Sequence, residues 1–195
     1  MKQLLKIFTY ALLAYTAMYS TVWLHELGHS LAYHYFDCKE DIINLYVPVH
    51  FANANPYPVN EEKVAALESW QDFYVSMAGI MANLLLALGG WVLLQTKIKK
   101  HLLFYFFIIM FLLSNLLEAA TYLTISNIYP LSDMIGVQNY NPMLRIPLFT
   151  LGLLLVYGII ALITSAPENW RRGMIIFSIT STLAMGGLRL LFTII

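Results

Sequence analysis

Long stretches with almost no charged residues limit the folds that this chain can adopt. Only 11% of its 195 residues are charged, whereas an ordinary soluble domain has about 25%. A membrane-crossing helix needs about 20 consecutive, mainly apolar residues. The sequence therefore predicts an all-α polytopic membrane protein, a single domain over 1–195 with about five transmembrane helices. Their approximate bounds are 4–36, 73–96, 102–125, 147–163 and 174–195.

The first apolar stretch contains two lysines at its start, Lys2 and Lys6, as a signal peptide does. Its apolar run is longer than a typical signal core. Cleavage near its end would also destroy a motif over 25–29, described below. We therefore expect this stretch to be retained as the first transmembrane helix.

Basic residues cluster before the first predicted span and in two connections between spans. Cytoplasmic loops carry an excess of lysine and arginine, so these clusters predict a cytoplasmic N-terminus and an outward C-terminus. The polar segment 37–72 then faces outward, and the cell membrane is the expected location. The net charge is zero, which indicates no nucleic-acid partner. The clusters are Lys2 and Lys6; Lys97, Lys99 and Lys100; and Arg171 and Arg172.

The polar segment 37–72 contains two local patterns. Over 45–51, apolar residues alternate with other residues, and this period of two predicts a β-strand. Pro48 cannot donate to a ladder, so the strand belongs at an edge or a bulge. Asn60 is suited to capping a short helix over 61–72. We therefore expect a small β-containing extramembrane segment between the first two spans.

The most specific motif is His25-Glu26-Leu27-Gly28-His29, in the first span. At positions i and i+4 the two histidines lie on one helical face, about a turn apart, so both imidazoles can bind one zinc ion. Glu26 can reach a water beside that metal, as in zinc-dependent amide hydrolases. Residues 9–23 carry no charge, so three ionisable groups within the next few residues predict a metal site.

A catalytic zinc site usually has three protein ligands and a water, so a third ligand is needed. Asp133 follows the end of the third span, which faces the same side as the end of the first. Glu118 lies inside the third span, where an acidic residue is costly and indicates function. Asp133 could instead cap a helix, and Glu118 could pair within the bundle. Further candidates are His50 and the acidic residues of 37–72, with His34 and His101 as weaker ones.

The second span contains the small residues Ala78, Gly79 and Ala82, followed by Asn83. Small side chains allow another helix to approach closely. An amide inside a span needs a partner. For Asn83 an interhelical hydrogen bond is at least as good an explanation as a direct role in catalysis.

Three segments, in order, resemble the motifs of the site-2 protease family of intramembrane zinc metalloproteases. The first is 25–29, the histidine motif. The second, 78–83, resembles the family's Gly-Pro-x-x-Asn segment, with Ile80 in place of proline. The third, 127–133, resembles its Asn-x-x-Pro…Leu-Asp-Gly motif, with a shorter interval and with Met134 in place of the glycine.

The resemblance implies a role for each matching residue. Zinc would be bound by His25, His29 and Asp133. Glu26 would be the catalytic general base and would then donate its proton to the leaving amine. Asn127 would bind the substrate backbone or the developing oxyanion. The predicted strand would pair with an extended substrate. In the family the active site generally opens toward the cytosol, whereas the basic clusters place it outside.

The expected function is therefore an intramembrane zinc endopeptidase that acts on transmembrane or membrane-associated peptides. A membrane zinc hydrolase acting on a lipid amide or a small molecule would need the same metal site. A non-catalytic membrane scaffold is a third alternative, but a scaffold needs no general base such as Glu26. The expected partners are the lipid bilayer and a membrane protein or peptide substrate.

Overall fold

The computed structural model describes residues 2–51 and 53–194, with the side chains of all of these except 99 and 185–194. Within this described part the regular structure is helical. The α-helices are α1 (Lys2–Tyr35), α2 (Glu61–Ala65), α3 (Ser69–Leu94), α4 (Leu102–Thr121), α5 (Asp133–Tyr140), α6 (Arg145–Ser165) and α7 (Glu168–Ile194). A π-helical turn, Tyr122–Ser126, continues α4, and 3₁₀ turns precede α4 and α6 at Lys97–Lys100 and Pro142–Leu144.

Four helical segments in the described residues are long and apolar enough to cross a membrane. They confirm the prediction of a helical, multi-pass membrane protein. The fifth predicted span, 174–195, falls on α7, and its residues from 185 onward lie outside the described side chains. The four segments are α1, α3, α4 with its π-helical turn (Leu102–Ser126), and α6 with its preceding turn (Pro142–Ser165).

The long helices form a bundle in which α1, α3 and α4 all pack on one another, and α4 also contacts α6 and α7. The polar end of the bundle is formed by the end of α1, the start of α3, the π-helical turn and α5. The opposite end, here called the basic end, carries the lysine and arginine clusters beside the starts of α1, α4 and α7. These three basic clusters therefore lie at one end of the bundle, as the positive-inside rule predicts.

An aromatic and aliphatic core holds the helices together at the basic end. The ring of Phe106 lies 4.6 Å from that of Tyr10 and 5.0 Å from that of Trp170, in edge-to-face contacts. These three rings join α1, α4 and α7. Leu113 of α4 is fully buried in the same core. Packing of apolar side chains is therefore the main interaction at this end.

Small residues let α1 and α3 approach closely at the polar end. A Cβ atom on Gly28 would lie 2.7 Å from the carbonyl oxygen of Ala78 and 3.0 Å from Cβ of Ala82. A Cβ atom on Gly79 would lie 2.7 Å from ring atoms of His25. The small-residue segment of the second span thus gives the close helix approach that it predicted, and it brings α3 against the histidine face of α1.

The predicted β-strand over 45–51 is wrong. These residues form a loop with one isolated antiparallel bridge, between Tyr46 and Asn55. Pro48 lacks the N–H that a ladder needs. A period-two pattern indicates only that one side of an extended segment is buried, and here that side faces a helix.

Two tyrosines of α1 donate hydrogen bonds to carbonyl oxygens of this loop. The hydroxyl of Tyr19 donates to the carbonyl oxygen of Val47 at 3.0 Å, and that of Tyr15 donates to Val49 at 2.8 Å. The ring of Phe51 packs against both tyrosine rings. The loop is therefore attached to α1 rather than to a neighbouring strand.

Lys39 fixes the same loop from a second side. Its buried ammonium donates to the carbonyl oxygens of Asn44, Pro56 and Pro58 at 2.8, 2.7 and 2.9 Å. An ammonium has three N–H donors, so these three bonds satisfy it completely.

The helix predicted over 61–72 is divided in the structure. The side-chain oxygen of Asn60 accepts from the N–H of Lys63 at 3.0 Å, which is the predicted cap. However, α2 ends at Ala65, and α3 begins at Ser69 with its own cap, in which Gln71 Oε1 accepts from the N–H of Glu68. A second capping signal so soon after the first ends the shorter helix.

Candidate metal centre

Two imidazoles of α1 lie side by side at the polar end of the bundle. His25 and His29 are one helical turn apart, and both are buried. Their Nε2 atoms are 3.1 Å apart, and the rings meet at an interplanar angle of 77°. The i and i+4 spacing thus directs both Nε2 atoms toward one point, as expected of a pair that binds one ion.

Asp133, the first residue of α5, brings a carboxylate to the two imidazoles. Its Oδ2 lies 3.1 Å from His25 Nε2 and 3.2 Å from His29 Nε2. Ser132 turns the chain into α5 with φ of 51°, and its hydroxyl donates to Asp133 Oδ1 at 3.0 Å. A left-handed conformation at a residue other than glycine is costly and is concentrated at functional sites. Oδ2 is left facing the histidines.

The three ligand atoms have the spacing of a metal site. Bonds of about 2.0–2.1 Å in a tetrahedral zinc site separate neighbouring ligand atoms by about 3.3 Å. The observed separations are 3.1, 3.1 and 3.2 Å, so the triangle is nearly equilateral and close to that size. His25, His29 and Asp133 therefore form a buried group that could hold a metal ion.

The outer nitrogen of each imidazole also has a neighbour. His29 Nδ1 is 2.7 Å from the carbonyl oxygen of Val75, which can only accept a hydrogen bond. Nδ1 of His29 therefore carries the proton, and in the neutral imidazole that binds a metal the lone pair is on Nε2. His25 Nδ1 is 3.0 Å from the side-chain amide of Asn83.

Neighbouring residues shape the space around the imidazoles. The ring of Tyr122, in the π-helical turn, stacks on the ring of His25 with centroids 5.0 Å apart and an interplanar angle of 8°. On the α3 side, Gly79 has no side chain, and a Cβ there would collide with both histidine rings. The His25 ring therefore lies between an aromatic face and a glycine backbone, and the His29 ring also contacts the glycine side.

The carboxyl group of Asp133 is anionic at neutral pH. Burial by itself raises its pKa, but the charge on His29 and hydrogen bonds from both imidazoles lower the pKa well below its usual range. A carboxylate ligand has to be deprotonated to bind a metal, so this charge state suits the proposed ion.

Glu26 lies beside the metal centre in a cavity of about 470 Å³. His29 and Asp133 line the same cavity, and so does Tyr33. Phe51 and residues 53–56 also line it, so the attachments of this loop to α1 and Lys39 affect the shape of the site. The structure thus places the predicted general base and two predicted ligands around one cavity.

Asn127 is not among the residues that line this cavity. It is buried, and its Nδ2 donates to the carbonyl oxygens of Leu123 and Arg145 at 3.2 and 2.8 Å. Its Oδ1 accepts from Gln138 at 2.9 Å. These bonds tie the end of the third span to α5 and α6. The substrate-binding role of Asn127 stays a prediction, and it would require these bonds to break.

The other candidate ligands lie apart from the three-residue group. Glu118 is buried on α4 and does not belong to it. His34 is 2.8 Å from the carbonyl oxygen of Lys39, through its Nδ1. His50 is exposed in the loop between α1 and α2, and His101 precedes α4 at the basic end.

Sequence reasoning missed Tyr122 and Val75 as neighbours of the histidines. A tyrosine in an apolar span carries no signal of its own, and any residue provides a backbone carbonyl. Asn83 and Gly79 did carry a signal, because an amide and a run of small residues are unusual in a span.

Comparison with protein-family models, with curated proteins and with solved structures finds no significant match to this chain. The fold and the site themselves define a class: a helical, multi-pass membrane protein with a buried two-histidine, one-carboxylate group that could hold a metal ion.

Proposed function

We propose that this protein is an intramembrane zinc endopeptidase. The observation that carries the proposal is the meeting of His25, His29 and Asp133 within 3.2 Å of one another, with Glu26 lining the same cavity. Two imidazoles and one carboxylate form a typical donor set of catalytic zinc, which keeps its fourth position for water or substrate. A purely structural zinc site would instead use four protein ligands.

The residues at the cavity have separate roles in peptide hydrolysis. Zinc, when bound, supplies Lewis-acid activation of a carbonyl group and makes a neighbouring water more acidic. The carboxylate of Glu26 accepts a proton from that water and then delivers it to the nitrogen of the leaving amine. Asp133 and His29 keep their positions, because Ser132 bonds to the carboxylate of Asp133 and the carbonyl oxygen of Val75 bonds to Nδ1 of His29.

The position of the cavity supports a membrane-anchored peptide as substrate. His25 lies ten residues before the end of α1, which corresponds to about 15 Å along the helix axis. The cavity is therefore near the polar end of the spans, where a substrate helix can unwind. Unwinding is needed because a transmembrane helix buries its peptide bonds in its own hydrogen bonds. We place the protein in the cell membrane.

The test combines zinc content with cleavage of a single-span peptide reconstituted in detergent micelles. We expect Glu26→Gln to keep zinc and lose cleavage, because the ligands are intact and the base is gone. We expect Asp133→Ala to lose most of its zinc, and Glu118→Ala, the matched buried acid, to keep it.

Three results would contradict the proposal. Normal cleavage by Glu26→Gln would show that Glu26 is not the general base. Normal zinc in Asp133→Ala together with loss in Glu118→Ala would show a different third ligand. Cleavage of a lipid amide in place of peptides would show the alternative hydrolase.

A further inference from the structure

Among the described residues, Asn83 is the hydrogen-bonding neighbour of the outer nitrogen of His25, and the contact has an unusual polarity. Asn83 is fully buried on α3, and its Nδ2 is 3.0 Å from His25 Nδ1. Its Oδ1 has no hydrogen-bond partner among the described residues. A buried amide oxygen without a partner costs about 1–3 kcal/mol, so this arrangement is unfavourable.

Metal binding by His25 requires the opposite polarity. Nε2 of His25 is the nitrogen that faces His29 and Asp133, so it has to keep its lone pair for the ion. A neutral imidazole then carries its proton on Nδ1, which becomes a donor. The amide nitrogen of Asn83 is also a donor and cannot accept that proton. The carbonyl oxygen of the same amide can.

Rotation of the amide by 180° exchanges these two atoms without changing its shape. Oδ1 then occupies the place 3.0 Å from His25 Nδ1, and the unpartnered oxygen disappears. The amide nitrogen moves to the other side. Gly90 of α3 faces Leu112 of the antiparallel α4, so Asn83 is level with residues 118–119. Glu118 is buried at this level of α4.

We propose that Asn83 is a positioning residue of the metal centre: its carbonyl oxygen accepts a hydrogen bond from Nδ1–H of His25 and so directs the Nε2 lone pair toward the ion. This inference rests on the proposed zinc site. Each imidazole then has an acceptor behind it, because the carbonyl oxygen of Val75 accepts a hydrogen bond from Nδ1–H of His29. Acceptors behind metal-binding histidines fix the ring and its protonation.

The experiment measures zinc affinity of the purified full chain by competition with a chelator. Asn83→Leu has a similar size but no acceptor, and we expect its zinc affinity to fall about 10–100-fold. Asn83→Asp keeps an acceptor, and we expect it to bind zinc at least as tightly as the unmodified protein. A role in helix packing alone would not be rescued in this way, since aspartate loses the amide's donors.

Asn115→Leu is the matched control. Asn115 is a fully buried amide of the same bundle, and its Nδ2 donates to Thr21 Oγ1 at 3.0 Å and to the carbonyl oxygen of Phe111 at 2.8 Å. We expect its substitution to change zinc affinity by less than about threefold, because no acceptor behind a ligand is lost. Nitrogen-15 NMR of His25 is a second measurement, with the proton expected on Nδ1 in the zinc-bound protein.

The results separate this inference from the proposed function. If the unmodified chain binds zinc and Asp133→Ala does not, the metal site itself is supported. If Asn83→Leu then binds zinc normally, or if Asn83→Asp is as weak as Asn83→Leu, only the role of Asn83 is overturned. The same holds if the His25 proton is found on Nε2 in the zinc-bound protein. Absence of zinc from the unmodified chain overturns both.

Discussion

The two ends of the helical bundle are built on different physical principles. At the basic end, Tyr10, Phe106 and Trp170 pack as rings around an aliphatic core. At the polar end, the same helices α1 and α4 contribute buried polar groups, among them His25, Glu26 and Glu118. The basic end is held by apolar packing, whereas the polar end combines a smaller apolar cluster, with Leu123, Met134 and Val137, and directed contacts between polar groups.

The comparison shows how a membrane protein can keep a polar site within a bundle. Apolar packing at the basic end fixes the helices independently of the site. Glycine and hydrogen-bonded acceptors at the polar end then set the positions of individual ligand atoms. Substitutions at the two ends should therefore separate stability from metal binding.

The largest effect is expected for Gly79→Ala. The new Cβ would lie 2.7 Å from ring atoms of His25, with helix backbone behind it, so the rings have to move. Structural zinc sites are worth about 10–16 kcal/mol over four ligands, so displacing one imidazole costs about 3 kcal/mol, or about 100-fold in zinc affinity. The measurement is zinc affinity by chelator competition.

Gly89→Ala is the control for this substitution. Gly89 lies on the same helix, and a Cβ there would meet no atom within 4 Å. Equal zinc affinity in the two alanine variants would show that Gly79 does not hold the space for the histidines.

Leu113→Ala should lower stability without affecting the metal centre. Leu113 is fully buried in the core of the basic end, and truncation of a buried leucine costs about 2–3 kcal/mol. Unfolding by denaturing detergent measures this loss, with Leu88→Ala on the exposed face of α3 as control. A fall in zinc affinity as large as that of Gly79→Ala would show that the two ends are coupled.

The smallest effect is expected for Lys39→Met, which tests the loop over the cavity. Three hydrogen bonds are lost, but the desolvation of a buried ammonium is relieved, so we expect a net loss of about 1 kcal/mol. Proteolysis within 37–60 should become faster. Lys63→Met, which removes a single exposed bond to the Asp37 carbonyl oxygen, should not change it. Equal cleavage rates would mean that Lys39 does not fix the loop.

The sequence was sufficient for four of the transmembrane helices and for half of the site. Apolar runs of about 20 residues predict spans because their length is set by the bilayer. The spacing of His25 and His29 predicts a shared face because it follows the helical period. Asp133 could be placed near them because alternating spans bring the end of the first and third spans to one side.

The remainder depends on contacts between residues distant in sequence. The alternation over 45–51 was interpreted as a strand, whereas hydroxyl groups of Tyr15 and Tyr19, about 30 residues earlier, bind that segment. The buried bonds of Asn127 depend on Arg145 and Gln138, which no local pattern connects to it. Local periodicity indicates that one side of a segment is buried, but it does not identify the residues that bury it.

X-ray absorption at the zinc edge, with metal content per chain, tests the three-ligand centre most directly. The protein should retain one zinc per chain, with two imidazole nitrogens and carboxylate or water oxygens at about 2.0–2.1 Å. Removal of His29 or Asp133 should change this ligand set. The account is contradicted if the chain contains no zinc after purification in the presence of zinc. It is also contradicted if both variants give the same spectrum as the unmodified protein.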